Sequence, residues 1–291
     1  MQFQKGILLA GGSGTRLKPL TTLINKHLLT IYDKPMIFYS LSVLMLCKIK
    51  NVAIITGKES FKNYKSFFED GSWLGMKIKF IIQDKPSGIA DAINISEKFI
   101  NKSNFCLMLG DNLFYGGNLT GYLNDCQNSN GSFKLFSYEV KDPSKFGVLS
   151  KKKTEFYIHE KPKKYISNKV VTGMYFLPNI AIKISKKNKK SKRGELEITD
   201  VLNNLIKLKK PKIYELKRGI TWMDLGSLES LNNASDFIKL IQNISNTKIA
   251  CLEEIAIKNK WIKKISKIKM QKKYGNSEYF KYLKNLNCFK K

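Results

Sequence analysis

Four short apolar runs recur along the first third of the chain, at Lys5–Ala10, Val52–Thr56, Ile78–Gln83 and Phe105–Leu109, with room for a helix in each gap. They are apolar at nearly every position rather than at alternate ones, as a strand covered on both faces requires. The gaps supply the helices. Pro35 suits a first helical turn, and Met36–Cys47 behind it is apolar nearly all round, as a buried helix would be. Ser60–Asp70 sets Phe61, Tyr64, Phe67 and Phe68 on one face, and Ile89–Ile100 is the third candidate. Strand and helix in alternation imply an α/β fold with a doubly wound sheet and right-handed crossovers.

The texture changes after Asp111. Phe133–Val140, Val148–Ser150, Glu155–His159 and Val170–Leu177 are β-like runs without helices between them, which suggests an inserted or extending mixed sheet. Glu195–Leu208 has helical spacing, and Lys212–Trp222 contains another strand. From Ser227 onward the pattern is helical, with Leu231, Ala234, Phe237, Ile238 and Ile241 in step and Glu253–Lys260 continuing it. No internal repeat or flexible linker interrupts the chain, so one body with a C-terminal helical appendage is expected.

Composition narrows the chemistry. Apolar residues make up 43% of the 291, enough for a substantial core, and no apolar run approaches the roughly 20 residues that a membrane helix needs. The N-terminus, one Lys and a short apolar stretch before Gly-Gly, does not fit a secretory signal. Five scattered Cys without a C-x-x-C pair argue against a disulfide framework or a zinc site and point to a reducing cytoplasm. Only His27 and His159 are available, which disfavours a His-rich metal centre or a Ser-His-Asp hydrolase. The 52 Lys+Arg against 23 Asp+Glu leave +29. Clustered, that charge would suggest nucleic acid. Here Lys is spread along the whole chain with abundant Asn and Ile, so surface drift or attraction of small anionic substrates fits better. The densest run, Lys183 to Arg193, has few aromatics for base stacking and reads as a solvated helix end and loop.

The stretch Leu8-Leu9-Ala10-Gly11-Gly12-Ser13-Gly14-Thr15-Arg16-Leu17 carries the most chemistry. A strand runs into a glycine-rich loop whose N–H groups can converge on an anion. Leu17 stands where a dinucleotide fingerprint needs its third glycine, and the Gly-Lys-Ser/Thr of a P-loop is absent. A phosphate loop ending in Arg16 remains, the guanidinium fork matching two phosphate oxygens; a tight turn with a surface Arg is the plainer alternative. Lys26 is close enough in sequence to share that site, although a lone Lys ordinarily faces solvent. Asp111 follows the fourth strand, where open α/β sheets bind ligands, and a hard divalent ion bridging phosphates takes one or two such carboxylates. Asp224, in Trp222-Met223-Asp224-Leu225-Gly226, is either a second ligand or a turn or cap residue. Gln83 can hydrogen-bond a base edge while Gly88 permits close approach. Glu160-Lys161 offers a carboxylate for hydroxyls and an ammonium for phosphate, or an ordinary surface pair.

Taken together and in order, these segments closely resemble the sugar-1-phosphate nucleotidyltransferases, over nearly the full length. The resemblance adds Tyr32-Asp33-Lys34-Pro35-Met36-Ile37, Gly110-Asp111-Asn112 and Val171-Thr172-Gly173-Met174-Tyr175-Phe176 to the glycine loop. It continues through Arg193-Gly194-Glu195-Leu196-Glu197-Ile198-Thr199-Asp200, Trp222-Met223-Asp224-Leu225-Gly226 and Glu253-Glu254-Ile255-Ala256. It implies a Rossmann-like catalytic core at 1–240, with a nucleotide-binding part at about 1–115 and a small sugar-binding β part at about 116–226. A helical extension at 241–291 follows. It also implies Mg²⁺, a homotetramer with a second nucleotide site, and a soluble cytoplasmic enzyme with no nucleic-acid or membrane partner. The activity implied is thymidylyl transfer from dTTP to glucose-1-phosphate, opening a dTDP-rhamnose-type synthesis.

By resemblance, Gly11, Gly14, Thr15 and Arg16 surround the triphosphate, and Lys26 bridges the phosphates of both substrates. Leu9, Gly12, His27 and Asp111 complete the nucleotide site, with Gln83 and Gly88 at the thymine. Asp111 and Asp224 hold magnesium. Asn112, Gly147, Glu160 and Val171 surround the sugar, and Lys161 contacts its phosphate; Arg16, Lys26 and Lys161 are the catalytic cations. The chain departs from the family pattern at Asn25, His27, Thr30, Asp84 and Phe146. None of these removes a charged catalytic group, and His27 and Asp84 bear on nucleotide selectivity.

Overall fold

The first apolar run is the middle of the sheet. In the computed structural model, which describes residues 2–12, 14–85, 87–153, 155–286 and 289, it forms strand β1 (Lys5–Leu9). The readings that touch Ser13, Pro86 and Cys288 lie outside the described residues. A short antiparallel pair, β2 (Thr30–Ile31) and β3 (Lys34–Pro35), leads directly into α1 (Met36–Leu46). Then come β4 (Asn51–Thr56), α2 (Lys58–Phe68), β5 (Lys77–Ile82), α3 (Ile89–Ile95), α4 (Glu97–Ile100) and β6 (Phe105–Leu109). The expected third helix is thus two pieces, broken at Ser96, whose hydroxyl turns back to donate to the Ala92 carbonyl at 2.7 Å.

Beyond β6 the chain forms β7 (Asn112–Gly116), α5 (Leu119–Asn128), β8 (Lys134–Glu139), β9 (Gly147–Lys152), β10 (Glu155–Glu160) and β11 (Lys169–Leu177). Next are α6 (Ile180–Ser185), α7 (Ile198–Leu208), β12 (Lys212–Glu215) and β13 (Ile220–Asp224). The span Lys212–Trp222 therefore holds parts of two strands rather than one. Helices α8 (Leu228–Ser245), α9 (Leu252–Lys258), α10 (Lys267–Tyr274) and α11 (Glu278–Asn285) complete the chain.

The main sheet runs β10-β9-β11-β6-β1-β4-β5, with β8 also pairing β11 and β12 pairing β8. Strand β1 is parallel to β4 and β6, and β4 to β5, while β11 runs antiparallel to β6 and makes the sheet mixed, as expected. Leu9 lies opposite Ile55 on one side and Leu109 on the other, so the carboxyl ends of these strands finish level. Successive residues of β1 feed different cores: Leu8 packs with α1 and α2 side chains, Ile7 with those of α3 and α7. That is why the strand is apolar from Ile7 to Leu9. Helix α1 is buried at ten of its eleven positions because Leu252 and Ala256 of α9 cover the side away from the sheet. Each such Leu or Ile contributes about 1.5–3 kcal/mol on burial. The four described cysteines are free and buried. Among the described residues no helix is long and apolar enough to cross a membrane.

Candidate active site

The level strand ends open onto a cavity of about 320 Å³, and the first thing to line it is the glycine loop. Gly14 has φ +60°, and a Cβ there would stand 2.8 Å from Thr21 Cγ2, so only glycine lets the loop close. A 3₁₀ turn over Thr15–Leu17 follows and carries Arg16. The Thr21 hydroxyl donates to the Gly14 carbonyl at 2.8 Å, and Asn25 Nδ2 to the Ala10 carbonyl at 3.2 Å. Asn25 Oδ1 accepts from the His27 backbone N–H at 2.9 Å and from the Tyr64 hydroxyl at 2.8 Å. The departure from the family pattern at Asn25 is thus a knot that ties the loop to α2 and caps the turn Lys26–Leu28.

Two strand ends bring the carboxylates together. Asp111 follows β6 after a single glycine, Gly110. Strands β7 and β13 pair antiparallel with Asn112 opposite Asp224, and the Leu225 N–H donates to the Asp111 carbonyl at 2.8 Å. Lys26, 6% exposed, donates from Nζ to Asp111 Oδ2 at 2.5 Å. A Cβ on Gly226 would lie 2.7 Å from Asp224 Oδ2 and 2.8 Å from Arg16 Nη2, so the guanidinium and the second carboxylate both border that glycine.

Burial would raise the Asp111 carboxyl, but the Lys26 ammonium, together with His27 and the hydrogen bonds from Lys26 and Asn112, outweighs it and holds the group at about 2. Asp224 goes the other way: burial and then the charge of Asp111 push it up to about 6, against the pull of Lys26, Arg16 and Lys161. His27 is 4% exposed, and burial brings it down to about 4, leaving the imidazole neutral at pH 7. Two carboxylates set among cations suit a hard divalent ion that takes its remaining ligands from phosphate and water. Among the described residues no group of three or more His, Cys, Asp or Glu stands ready to hold a metal alone. A proton on Asp224 competes with such an ion, so affinity is expected to fall about tenfold per pH unit below about 6. Titrating Mn²⁺ into the nucleotide-free protein at pH 5 and 7.5, followed by electron paramagnetic resonance, checks this; equal affinities would exclude Asp224 as a ligand.

A second cavity of about 170 Å³ adjoins the first and shares Arg16, Ile89, Leu109 and Glu195 with it. Asn112, Gly147, Glu160, Lys161, Val171 and Asp224 line it. Leu9, Gly11, Gly12, Gly14, Thr15, Lys26, His27, Gln83, Gly88 and Asp111 all fall on the first. Every site residue expected from the sequence therefore borders one of the two hollows. Asn112 is largely spent on structure: Oδ1 accepts from the Gly173 N–H at 2.9 Å and Trp222 Nε1 at 2.7 Å, and Nδ2 donates to Asp111 Oδ1 at 3.1 Å. Gly88 has φ +104°, and a Cβ there would meet the Leu196 carbonyl at 2.5 Å, so the loop lies hard against the start of α7. Lys161 Nζ sits 3.7 Å from Glu160 Oε1.

The second cavity also holds residues that residue-level reading passed over. Arg193 closes the run expected to be solvated, yet it donates to Glu197 at 2.9 Å and to Glu195 at 3.1 Å, and it stands 3.4 Å from Glu160. Burial and the nearby Glu197 push the Glu160 carboxyl above its ordinary value, against Lys161 and Arg193. The only sequence signal for this cluster was its place in the Arg193–Asp200 motif. His159 stays outside both cavities, its Nε2 3.0 Å from the Ser150 hydroxyl.

This arrangement agrees with what the chain is similar to. The family model described as nucleotidyl transferase matches residues 5–240. The glucose-1-phosphate thymidylyltransferase of Neisseria meningitidis serogroup A is 42% identical over 284 residues, which cover 97% of this chain and 99% of that protein. A Bacillus anthracis crystal structure that carries the same activity in its name, in complex with sucrose, superposes with TM-score 0.73 at 37% identity, over 80% of this chain and 94% of that one. UDP-glucose pyrophosphorylase complexed with UDP-glucose superposes with TM-score 0.72 at 27% identity, over 82% and 99% of the two chains.

Proposed function

Since the chain belongs to the nucleotidyl transferase family, we propose that it transfers a thymidylyl group from dTTP to glucose-1-phosphate, giving dTDP-glucose and pyrophosphate. One observation carries the reading: the Asp224 carboxylate sits at once in the fields of Asp111, Lys26, Arg16 and Lys161, four side chains from separate stretches of chain. A cluster of two acids and three bases between two hollows is what two mutually repelling anions need in order to meet.

The chemistry needs no general base. A sugar phosphate, with its second pKa near about 6, is already largely a dianion at neutral pH. The obstacle is its approach to the α-phosphorus of a polyanionic nucleotide. The loop N–H groups and Arg16 take the triphosphate, Lys26, paired with Asp111 on the larger hollow, neutralises phosphate charge there, and Lys161 receives the sugar phosphate. Glu160, held by Lys161 and Arg193, accepts sugar hydroxyls. Holding both reactants in line is worth roughly 7–11 kcal/mol of the barrier. Asp111 and Asp224 are the residues that would hold magnesium, which when bound would supply neutralisation of phosphate charge.

The same reading divides the chain into a catalytic unit at 1–240 and a helical extension at 241–291, which the extent of the family match supports. Within the unit, about 1–115 serve the nucleotide and about 116–226 the sugar. Kinship alone supports a homotetramer, a cytoplasmic location and the opening step of a dTDP-rhamnose-type synthesis.

The test is pyrophosphate release over a matrix of dTTP, UTP, CTP and GTP against glucose-1-phosphate and an amino-sugar phosphate, with and without Mg²⁺. Fastest release is expected from dTTP with glucose-1-phosphate and Mg²⁺. Faster release with UTP would reassign the nucleotide, and no release from any pair would make the protein a binder of nucleotide-sugars.

A further inference from the structure

Gln83 leaves β5 at the rim of the larger cavity with its backbone fixed, its N–H donating to the Thr56 carbonyl at 2.9 Å. Its side chain is fixed as well. Nε2 donates to Asp91 Oδ2 at 2.7 Å, and Asp91 sits in the first turn of α3. That turn is clamped in place, since the Ala90 N–H donates to the Leu196 carbonyl at 3.1 Å. Asp91 does not line the cavity, so whatever it does for a ligand it does through Gln83.

The two edges of a primary amide are chemically opposite, and a free Gln can present either. A carboxylate only accepts, so the edge facing Asp91 has to be the donor. Oε1 is thereby turned to the cavity wall beside Gly11, 3.6 Å from where a Cβ on that glycine would stand. We propose that Asp91 is the positioning residue for pyrimidine selection: it locks the Gln83 amide so that only an acceptor meets the base. This deepens the reading of the cavity as the dTTP site and rests on it.

An acceptor suits a base that carries a hydrogen on N3, as thymine and uracil do. Cytosine has a bare lone pair at N3, so in the same pose two acceptors face each other and both are left unpaired. With a free amide, Gln83 can turn Nε2 inward and the penalty disappears. Asp91 therefore acts by denying Gln83 a rotation.

Asp91→Asn tests this with almost no change of shape. An Asn at 91 still pairs with Gln83 but can offer either edge, so the two amides can turn over together. Asp91→Ala removes the tie altogether and places the best helix former in a helix, so folding is retained. The measurement is kcat/KM for dTTP divided by kcat/KM for dCTP, both with glucose-1-phosphate and Mg²⁺. The expected result is a fall in that ratio of threefold or more in both variants, through a gain with dCTP. A ratio that stays within threefold of wild type in either variant overturns the assignment, because a purely structural Asp91 would scale both rates alike. Turnover of dTTP by the wild-type protein is read separately, so failure of the proposed activity and failure of the selectivity device give different results.

Discussion

Asp111→Asn is expected to lower kcat/KM for pyrophosphate release by about a hundred- to a thousandfold and to leave a folded protein. The magnitude is that of removing one preorganised electrostatic contact from a transition state, about 2.7–4 kcal/mol. Folding survives because the substitution is isosteric and its one remaining oxygen still accepts from Lys26, at the cost of the bond from Asn112 Nδ2 to the other oxygen. The charge balance survives too. Asp224 is held up partly by the repulsion of Asp111, so losing that charge lets it ionise more readily and stand as the counter-ion for Lys26 and Arg16. What disappears is one of the two carboxylates offered to the metal. Steady-state rates over a Mg²⁺ series, beside a thermal melt, separate the two effects. A wild-type rate in a folded variant would remove Asp111 from the site.

Much of this geometry is written locally. Strands β1, β4, β5 and β6 announce themselves because burial on both faces demands unbroken apolar runs, and a residue one or two places past such a run has to lie at the sheet's carboxyl edge. Asp111 and the glycine loop were legible for that reason. Asp224 was not placed by anything local: it reaches Asp111 only through the pairing of β7 with β13, a register between Asn112 and Asp224 that no nearby pattern encodes. Helix α5 escaped notice because Gly121, Asn124 and Asp125 dilute its apolar positions, and burial of Leu119, Leu123 and Cys126 overrides the weak propensity. Arg193 looked solvated because the run before it is rich in lysine, whereas Glu195 and Glu197 just after it, together with Glu160 from β10, take its guanidinium. Asn25 and Asp91 carry the same lesson: each takes its meaning from hydrogen bonds, Asn25 to Ala10, His27 and Tyr64 and Asp91 to Gln83, that its own sequence neighbours do not announce.

Lys26→Ala is expected to cost at least about a hundredfold in kcat/KM, and its effect on stability discriminates further. The ammonium is the chief influence holding Asp111 at about 2. Without it, burial and the neighbouring Asp224 raise that carboxyl, and an enclosed charge left without its partner costs about 3–5 kcal/mol. The pH dependence follows in sign. Wild-type Asp111, depressed below the ordinary 3.8, stabilises the fold at every pH above that value. In the variant the raised Asp111 penalises the fold wherever it is ionised, so the deficit is largest at alkaline pH and shrinks as acid protonates the group. Melts at pH 8 and pH 5 should therefore show a larger gap from wild type at pH 8. The double variant Lys26→Ala with Asp111→Asn should recover most of the stability at pH 8 and none of the activity, since the unpaired charge is gone while both site groups are missing. A loss under threefold in kcat/KM for Lys26→Ala would move the lysine out of the chemistry, and a deficit independent of pH would mean that its bond to Asp111 is not what holds that carboxyl down.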